Sequence, residues 1–547
     1  MAVKEIGQAK VERAEGYVGH LDQSQENKLR QAWKKVFEMF EKAQGGGEGR
    51  DTDGPEFVDD PKKAGIPKDD TAKEEAKAKE EIQALNDLIK IYDAETIRKC
   101  VYNSVKLDDP DTVLLRFLRA RKWDVQKSIA MFAGCLKWRL DNKIEDLLVA
   151  GDEGNGVKIK KFLEQQKSGK TYAFGASVEE QPSFYVHVRK HFTKGQPAET
   201  MQKYIPYAME SFRLLLVPPN DKVVLFFDLQ KFGLSNMDWG ALLYVVKCLE
   251  AYFPESLHTL VIYKAPWIFS GIWKILYPML DPVVRSKVVF MSKSQECAHL
   301  LPADRLIAEL SGGVDFDFTK AWRPPRDGEN KVDQNEKKKR EAKFYEIASK
   351  WEKVTKKWCE GDDSKEILQE RQLLVKKLRL AQFEKEPFVR GKTQYHRDGT
   401  IDGQGIVTWL YKQQDGEAIR HIIGRKHCAA VLIREIKEME ENNASFEDVE
   451  KKTDDAVEKS DWVTLYGSEE MARKIEGPRV DGEVPEEGWV NLEAITILSV
   501  PAGTLTSSGK DQTLSASDGA HWESEKQSSG GRDDDGAGAG ADGVRAA

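Results

Sequence analysis

The chain of 547 residues lacks the features that mark secreted, membrane-spanning and lipid-anchored proteins. Its six cysteines are scattered without a C-x-x-C pair, a pattern typical of reduced thiols inside the cell. No uncharged apolar run approaches the roughly 18–20 residues that a bilayer span requires. The first residues have no apolar signal segment, Ala2 excludes myristoylation, and the final residues contain no prenylation cysteine. We therefore expect a cytoplasmic protein whose contact with intracellular membranes is peripheral and transient.

An excess of positive charge is also lacking. Lysine and arginine number 84 against 92 aspartates and glutamates, which gives a formal net charge of −8. Proteins that bind nucleic acids usually carry a basic stripe, so nucleic acid is not an expected partner. With 40% apolar residues the chain can form a sizeable core. The 32% of charged residues indicate that some segments need not belong to that core.

Signatures of catalysis are absent as well. Residues 168–171 (SGKT) resemble the end of a phosphate-binding loop, but Glu164 stands where that loop needs a glycine. His187 and His191 are four residues apart on a predicted strand with Arg189 between them, which favours a solvated strand face over a zinc site. No G-x-S-x-G motif is present for a serine nucleophile. We expect neither an enzyme nor a metal or cofactor site.

Changes in composition and periodicity divide the chain into segments. Near the C-terminus, glycine, serine, alanine and aspartate dominate, and such a segment cannot offset its own ordering entropy. The predicted segments are an N-terminal helical arm (1–44), an acidic and charged linker (45–84), a helical unit (85–150), a domain of alternating strands and helices (157–318), a charged helical extension (330–395), a small mixed α/β segment (396–500) and a disordered tail (501–547).

The N-terminal arm has one apolar helical face, which leaves two interpretations open. It is either a helix that lies on a membrane surface or an arm that docks on the main body. The residues of this face are Leu29, Trp33, Val36, Phe37 and Phe40.

The segment 157–318 alternates strand and helix patterns. The continuous apolar run Val223–Phe227 is typical of a strand covered on both faces, and Leu257–Tyr263 and Lys287–Met291 are further predicted strands. Helices are predicted between them, over Asp238–Phe253 and Trp267–Leu280. This alternation implies right-handed crossovers and a largely parallel sheet, hence an α/β fold.

The predicted helix Trp267–Leu280, which we call the gate segment, is apolar nearly all round. One of its faces can therefore cover something other than protein core. Gly271 in its middle and the flanking Pro266 and Pro278 weaken it, as a movable lid requires.

Several motifs of this region, in order, resemble the CRAL-TRIO family, specifically its secretory phosphatidylinositol transfer protein branch in fungi. The resemblance covers roughly residues 85 to 318. It implies an N-terminal helical unit followed by a lipid-binding domain with a mostly parallel sheet. The motifs are RFLRARKWDV (116–125), FDLQKFGLSNMDW (227–239), YFPESL (252–257), KAPWIF (264–269) and LDPVVRSKV (280–288).

The resemblance also implies a phosphatidylinositol headgroup site. The positions that match the family's motif are Arg121, Lys122, Glu255 and Lys287. A carboxylate can accept hydrogen bonds from inositol hydroxyls, and cations form charge-assisted bonds with phosphate. From the residues alone, a weakly stabilising surface ion pair is the alternative. The family's threonine three residues before the lysine is replaced here by Val284.

The apolar part of the implied site departs from relatives that also carry phosphatidylcholine. Hydroxyl-bearing residues of those relatives align with Phe184, Met209, Val223 and Leu225, and Phe227 extends the same wall. A choline phosphate would lack hydrogen-bond partners there, which disfavours phosphatidylcholine and favours a sterol-like second ligand. The gate residues that we expect above this pocket are Trp267, Phe269, Gly271, Trp273 and Tyr277.

Two functions are consistent with these expectations. The first is a monomeric cytosolic carrier that exchanges phosphatidylinositol for a second lipid. The alternative is a sensor that presents phosphatidylinositol to a lipid kinase. Lipid transfer between vesicles without an added protein distinguishes the carrier from the sensor.

Overall fold

The structure is a computed structural model that describes residues 3–7, 14–46 and 70–476. The predicted disordered tail, the end of the mixed segment and most of the acidic linker lie outside the described residues. No helix among the described residues is long and apolar enough to cross a membrane.

A layer of helices precedes the central sheet, and aspartates begin several of them. Asp22, Asp93, Asp109 and Asp124 each accept a backbone hydrogen bond at a helix N-terminus, which satisfies a donor that the helix leaves unpaired. The elements before the sheet are β1 (Lys4–Ile6), α1 (Gln23–Lys42), α2 (Asp70–Ile91), α3 (Ala94–Val105), α4 (Pro110–Ala120), α5 (Val125–Asp141), α6 (Ile144–Lys158) and α7 (Phe162–Lys167).

The central sheet has the order β2-β3-β4-β5-β6. Its first pair is antiparallel and the remaining pairs are parallel, which confirms the predicted α/β fold with a mostly parallel sheet. Its strands are β2 (Thr171–Ala176), β3 (Pro182–His187), β4 (Val223–Asp228), β5 (Leu257–Tyr263) and β6 (Val288–Met291). The helices of this domain are α8 (Ala198–Arg213), α9 (Trp239–Lys247), α10 (Phe269–Leu276), α11 (Pro282–Ser286) and α12 (Phe318–Ala321).

The C-terminal part contains a long helical hairpin and a second, smaller sheet. The sheet has the order β1-β8-β7, so the strand nearest the N-terminus pairs in parallel with a strand more than four hundred residues later. These elements are α13 (Gln334–Cys359), α14 (Lys365–Val389), α15 (Gln394–Arg397), β7 (Val407–Lys412), β8 (Ala418–Ile423), α16 (Ala429–Glu441), α17 (Phe446–Glu458), α18 (Trp462–Tyr466) and α19 (Glu469–Glu476).

Two of the predicted segments differ from the structure. The segment 45–84 was predicted as a charged linker whose second part resembles a solvated helix; the structure has α2 from Asp70 onward, and this helix packs along α5. Glu81 of α2 is buried and pairs with Arg121, an interaction that the charged composition did not reveal. The arm predicted as helical also contains β1, whose three residues are too few to show a strand periodicity.

The N-terminal helix α1 is docked on the main body. Its apolar face is buried, and Trp33 packs edge-to-face on Trp351 of α13 with 4.8 Å between ring centroids. The structure therefore agrees with the interpretation of this helix as an arm that docks on the main body.

A buried carboxylate joins the helices around this contact. Asp111 of α4 accepts a hydrogen bond from Trp33 Nε1 at 2.7 Å and two from Arg371 of α14, at 2.6 and 2.8 Å. The Arg371 guanidinium also lies over the rings of Trp351 and Trp358 in α13. Four helices thus depend on one ion pair that is shielded from water.

We expect Asp111→Ala to lower the free energy of unfolding by about 3–5 kcal/mol, because it leaves the Arg371 charge buried without its partner. Glu38→Ala is the control, since Glu38 forms exposed pairs with Lys35 and Lys42 and such pairs contribute about 0–1 kcal/mol. Chemical denaturation of both variants measures the difference. Equal losses in the two variants would contradict a central role for Asp111.

Candidate functional site

An apolar cavity of about 250 Å³ lies between one face of the central sheet and helices α8, α9 and α10. Engineered apolar cavities of about 150 Å³ already bind benzene, so this volume suffices for an apolar ligand group. Alternate residues of β4 point to the same face, which places Val223, Leu225 and Phe227 on the cavity wall. Phe184 of β3 and Met209 of α8 also line the cavity.

The gate segment forms one side of this cavity, but as a shorter helix than predicted. Helix α10 spans only Phe269–Leu276, and a 3₁₀ turn over Tyr277–Met279 follows, because Pro278 cannot continue the α-helical hydrogen bonds. Of the predicted gate residues, Phe269 and Trp273 line the cavity. Trp267, Gly271 and Tyr277 do not; they face outward.

The outer surface of the gate segment mixes apolar and polar side chains. The prediction of a helix that is apolar nearly all round is therefore wrong, since Ser270 and Lys274 are exposed on α10. Trp267 is nevertheless 86% exposed and Tyr277 47% exposed. Large exposed aromatic side chains beside a cavity mark a surface suited to contact with another apolar phase.

One end of the gate segment is anchored to α2. Lys73 donates a hydrogen bond to the carbonyl oxygen of Met279, and its Nζ lies 3.6 Å from Glu250 Oε1. Lys77 lies 3.8 Å from Asp281, whose backbone N–H donates to Glu250. Burial raises the pKa of Glu250 above its usual value, although Lys73 and Lys77 act against this. The anchor is therefore a partly buried cluster of opposite charges.

Charged side chains gather where neighbouring parallel strands begin. Lys222 directly precedes β4, Glu255 lies two residues before β5, and Lys287 directly precedes β6. Lys287 Nζ lies 3.5 Å from Glu255 Oε2. Burial lowers the pKa of Lys287 below its usual value, and the Glu255 carboxylate opposes this effect.

This charged group adjoins the cavity. Ser256, Val284 and Val288, which are close neighbours of Glu255 and Lys287 in the chain, line the cavity wall. Sequence reasoning missed Lys222, although its position next to a predicted parallel strand was a usable signal, because parallel strands begin at the same edge of a sheet.

Arg121 and Lys122, which were predicted to join this site, are placed differently. Arg121 pairs with Glu81 of α2, and Lys122 is exposed in a turn with a φ of 49°. Within the described part of the chain, neither side chain contacts Glu255 or Lys287. Their contribution to headgroup binding stays a prediction.

Two other arginines lie nearer to the charged group. Arg116 and Arg119 of α4 both contact Asp221, at 3.3 and 3.2 Å, and Asp221 is the chain neighbour of Lys222. Arg119 and Arg116 lie two and five residues before the predicted Arg121 in the same motif. The motif therefore supplies basic side chains to this region through a different pair of residues.

The prediction that His187 and His191 lie on a solvated strand face is wrong. The strand ends at His187 and a 3₁₀ turn follows, so His187 and His191 do not share a face. His187 is fully buried, with Nδ1 2.8 Å from Asp228. His191 lines the cavity and contacts Lys170 and Asp238. No cluster among residues 3–7, 14–46 and 70–476 has the groups to hold a metal ion.

The sheet, the cavity and the short covering helix define the class of α/β domains that enclose an apolar ligand. Comparison with protein families matches the CRAL/TRIO domain to residues 166–312 and the CRAL/TRIO N-terminal domain to residues 73–134. The chain belongs to the CRAL-TRIO family, as the motif resemblance predicted.

Several curated relatives of this chain come from fungi. A CRAL-TRIO domain-containing protein of Schizosaccharomyces pombe is 33% identical over 324 residues, which cover 59% of this chain and 72% of the relative. The phosphatidylinositol transfer protein CSR1 of Eremothecium gossypii is 32% identical over 325 residues, 58% of this chain and 74% of the relative. The SEC14 cytosolic factor of the same organism is 28% identical over 238 residues, 40% and 76% of the two chains. These relatives place the chain in the predicted fungal branch.

The gate segment gives a conformational prediction. Gly271→Ala adds a Cβ that meets no atom within 4 Å and improves helix propensity by about 0.8–1 kcal/mol. If α10 opens by unwinding, its amide hydrogen exchange should slow about four- to fivefold. In the parent protein, lipid vesicles should accelerate exchange in α10 more than in β4.

Gly134→Ala is the matched control, because its Cβ makes an ordinary 3.7 Å contact in α5, away from the gate segment. Mass spectrometry of deuterated peptides reports both regions. Unchanged exchange in α10 of Gly271→Ala, or an equal slowing there in Gly134→Ala, would contradict opening by unwinding.

Proposed function

We propose that this protein is a lipid carrier that takes phosphatidylinositol from one membrane, encloses its acyl chains and releases it at another in exchange for a second lipid. The observation that carries the proposal is the apolar cavity under α10 with Glu255 and Lys287 beside it. The similarity to a phosphatidylinositol transfer protein over 74% of that relative supports it.

The physical work of such a carrier is desolvation, so no covalent bond changes and no cofactor is needed. Each methylene contributes about 0.8 kcal/mol when it leaves water, whether it enters a bilayer or a protein cavity. Transfer is therefore nearly balanced, and its rate depends on how easily the cavity opens at a membrane. The exposed Trp267 and Tyr277 are suited to that transient contact.

The headgroup chemistry fits the charged group at the strand starts. Lys287 and Lys222 can donate charge-assisted hydrogen bonds to a phosphate, and Glu255 can accept hydrogen bonds from inositol hydroxyls. Glu255 Oε2 lies 3.5 Å from Lys287 Nζ, so the pair is already positioned for a ligand that bears both donors and acceptors.

We expect Lys287→Ala to lose about 1.5–3 kcal/mol of phosphatidylinositol binding, because a charge-assisted bond to the phosphate is removed. Glu255→Ala should also lose most phosphatidylinositol loading. The measurement is transfer of labelled phosphatidylinositol between vesicles by the purified protein alone, which also separates a carrier from a lipid-presenting sensor.

Lys293→Ala is the control for these variants, since Lys293 is an exposed lysine just beyond β6. It should transfer phosphatidylinositol like the parent. Parental transfer by both Glu255→Ala and Lys287→Ala would show that the headgroup is bound elsewhere.

Phosphatidylcholine is the disfavoured second ligand in this proposal. Val223 and Leu225 offer no hydrogen-bonding side chain to the cavity, and Phe184 is stacked on Phe212 with 4.1 Å between ring centroids. A zwitterionic headgroup buried against this wall would lack partners, and each unsatisfied group costs about 1–3 kcal/mol. A flat apolar ligand with few polar atoms avoids that cost.

We expect the unmodified protein to transfer phosphatidylcholine much more slowly than phosphatidylinositol. The double variant Val223→Ser with Leu225→Thr should raise phosphatidylcholine transfer and leave phosphatidylinositol transfer nearly unchanged. Val261→Thr is the control, because Val261 of β5 lies on the opposite sheet face. Transfer of both phospholipids at equal rates by the parent would refute the argument from the missing hydroxyls.

A further inference from the structure

The cavity has polar groups at both ends, and they lie at opposite edges of the sheet. The charged group around Glu255 and Lys287 is at the edge where β4, β5 and β6 begin. A second group lies at the other edge, where β3 and β4 end and the antiparallel β2 begins. The length of β4 separates the two edges by roughly 17 Å. One small headgroup therefore cannot occupy both ends.

Lys170, His191 and Asp238 form this second group. All three line the cavity: Lys170 directly precedes β2, His191 lies just beyond β3, and Asp238 directly precedes α9. Lys170 Nζ lies 3.0 Å from His191 Nδ1, and His191 Nε2 lies 3.0 Å from Asp238 Oδ2. Asp238 also caps α9 by accepting a hydrogen bond from the backbone N–H of Ala241 at 2.9 Å.

The donors and acceptors of this cluster follow from the chemistry of Lys170. An ammonium group can only donate, so His191 Nδ1 accepts its hydrogen bond and Nε2–H donates to Asp238. A second N–H of Lys170 is taken by Gln165 Oε1. Its third contact among the described residues is the sulfur of Met201, which also lines the cavity, at 3.6 Å. Thioether sulfur is a weak acceptor, so an oxygen atom in the cavity would form a better bond.

The charges of the cluster compensate one another. Burial lowers the pKa of Lys170 to about 8, with Asp238 opposing this, so the lysine is still mainly charged at pH 7. Burial is the largest single effect on Asp238 and acts to raise its pKa, but the hydrogen bonds from His191 and the Ala241 N–H, together with the charge of Lys170, outweigh it and lower the pKa. One positive and one negative charge thus flank the imidazole. Such a site does not attract an anion, but it offers both a donor and an acceptor to a neutral hydroxyl.

We infer that the Lys170–His191–Asp238 cluster binds the hydroxyl group of a neutral lipid alcohol, whose apolar body fills the cavity as the second ligand. The inference rests on the proposed carrier function and gives that second ligand a chemical class. The ligand oxygen accepts from Lys170 in place of Met201, while Asp238 accepts the His191 N–H that orients the imidazole. Val223, Leu225 and Phe227 contact the hydrocarbon part.

The experiment compares matched pairs of ligands on the full chain. The probes are a sterol and a long-chain fatty alcohol, each paired with the hydrocarbon that lacks the hydroxyl, and the fatty acid of the same chain length. Displacement of a bound fluorescent lipid measures affinity. We expect the parent to hold each alcohol that fits roughly tenfold more tightly than its hydrocarbon, as one well-formed buried hydrogen bond allows. Comparison of the sterol with the long-chain fatty alcohol then shows whether the cavity prefers a fused-ring or a linear hydrocarbon.

Two variants test the residues themselves. Lys170→Met and His191→Phe should each reduce the preference for the alcohol to about twofold or less, because the hydrogen-bonding partner is removed. Lys190→Met is the matched control, since Lys190 follows β3, as His191 does, but does not line the cavity. It should retain the full preference.

Several results would overturn the inference. These are equal binding of alcohol and hydrocarbon by the parent, binding of neither, tighter binding of the fatty acid than of the alcohol, or full retention of the preference in both cavity variants. Phosphatidylinositol transfer is measured on the same samples. Loss of the alcohol preference in Lys170→Met with phosphatidylinositol transfer intact supports the cluster, whereas a parent that fails to transfer phosphatidylinositol but prefers the alcohol contradicts only the proposed function.

Discussion

The parallel register of β3 to β6 is the constraint on which the rest of the site depends. Side chains alternate along each strand, so residues 223, 225 and 227 form one apolar wall while their neighbours pack on the other face. The same register brings strand starts to one edge and strand ends to the other. Charged residues that the chain places just outside the strands therefore collect in two groups, with an apolar space between them. The cavity and its two polar ends are consequences of one sheet.

Two central strands of this sheet were predictable from their apolar residues. The continuous apolar run Val223–Phe227 and the predicted strand Leu257–Tyr263 agree with the structure to within one residue, whereas β2 was not predicted. The predicted strand through His191 was wrong because alternation of polar and apolar residues continues past the 3₁₀ turn that ends β3. Pairings between distant segments were not predictable either. Lys222, the Arg121–Glu81 pair and the cluster around Lys170 depend on which elements meet, and local periodicity carries no information about that.

The stability of the molecule is distributed unevenly, and this matters for the proposed opening of the cavity. The helical body is fixed by the Asp111–Arg371 pair and the aromatic rings around it. In contrast, α10 is short, contains an exposed glycine, and is anchored to α2 beyond its C-terminal end by Lys73 and Lys77. A short helix with weak propensity belongs to the part of a fold that opens at low free-energy cost. In the proposed carrier, α10 would therefore uncover the cavity without disturbing the core that positions it.

The pairing of β1 with β8 cannot form until nearly all of the described chain has been synthesised. Glu5 contacts Arg420, which lies 415 residues later in the chain. At the usual rates of translation, about 5–20 residues per second, the N-terminal strand waits about 20 to 80 s after leaving the ribosome before its partner exists. Helix α1 waits nearly as long for Trp351 of α13. Helices α3, α4 and α5 can cover part of α1 soon after it is made, but its contact with α13 and the pairing of β1 must wait, and ribosome-associated chaperones have that long to bind the exposed surfaces.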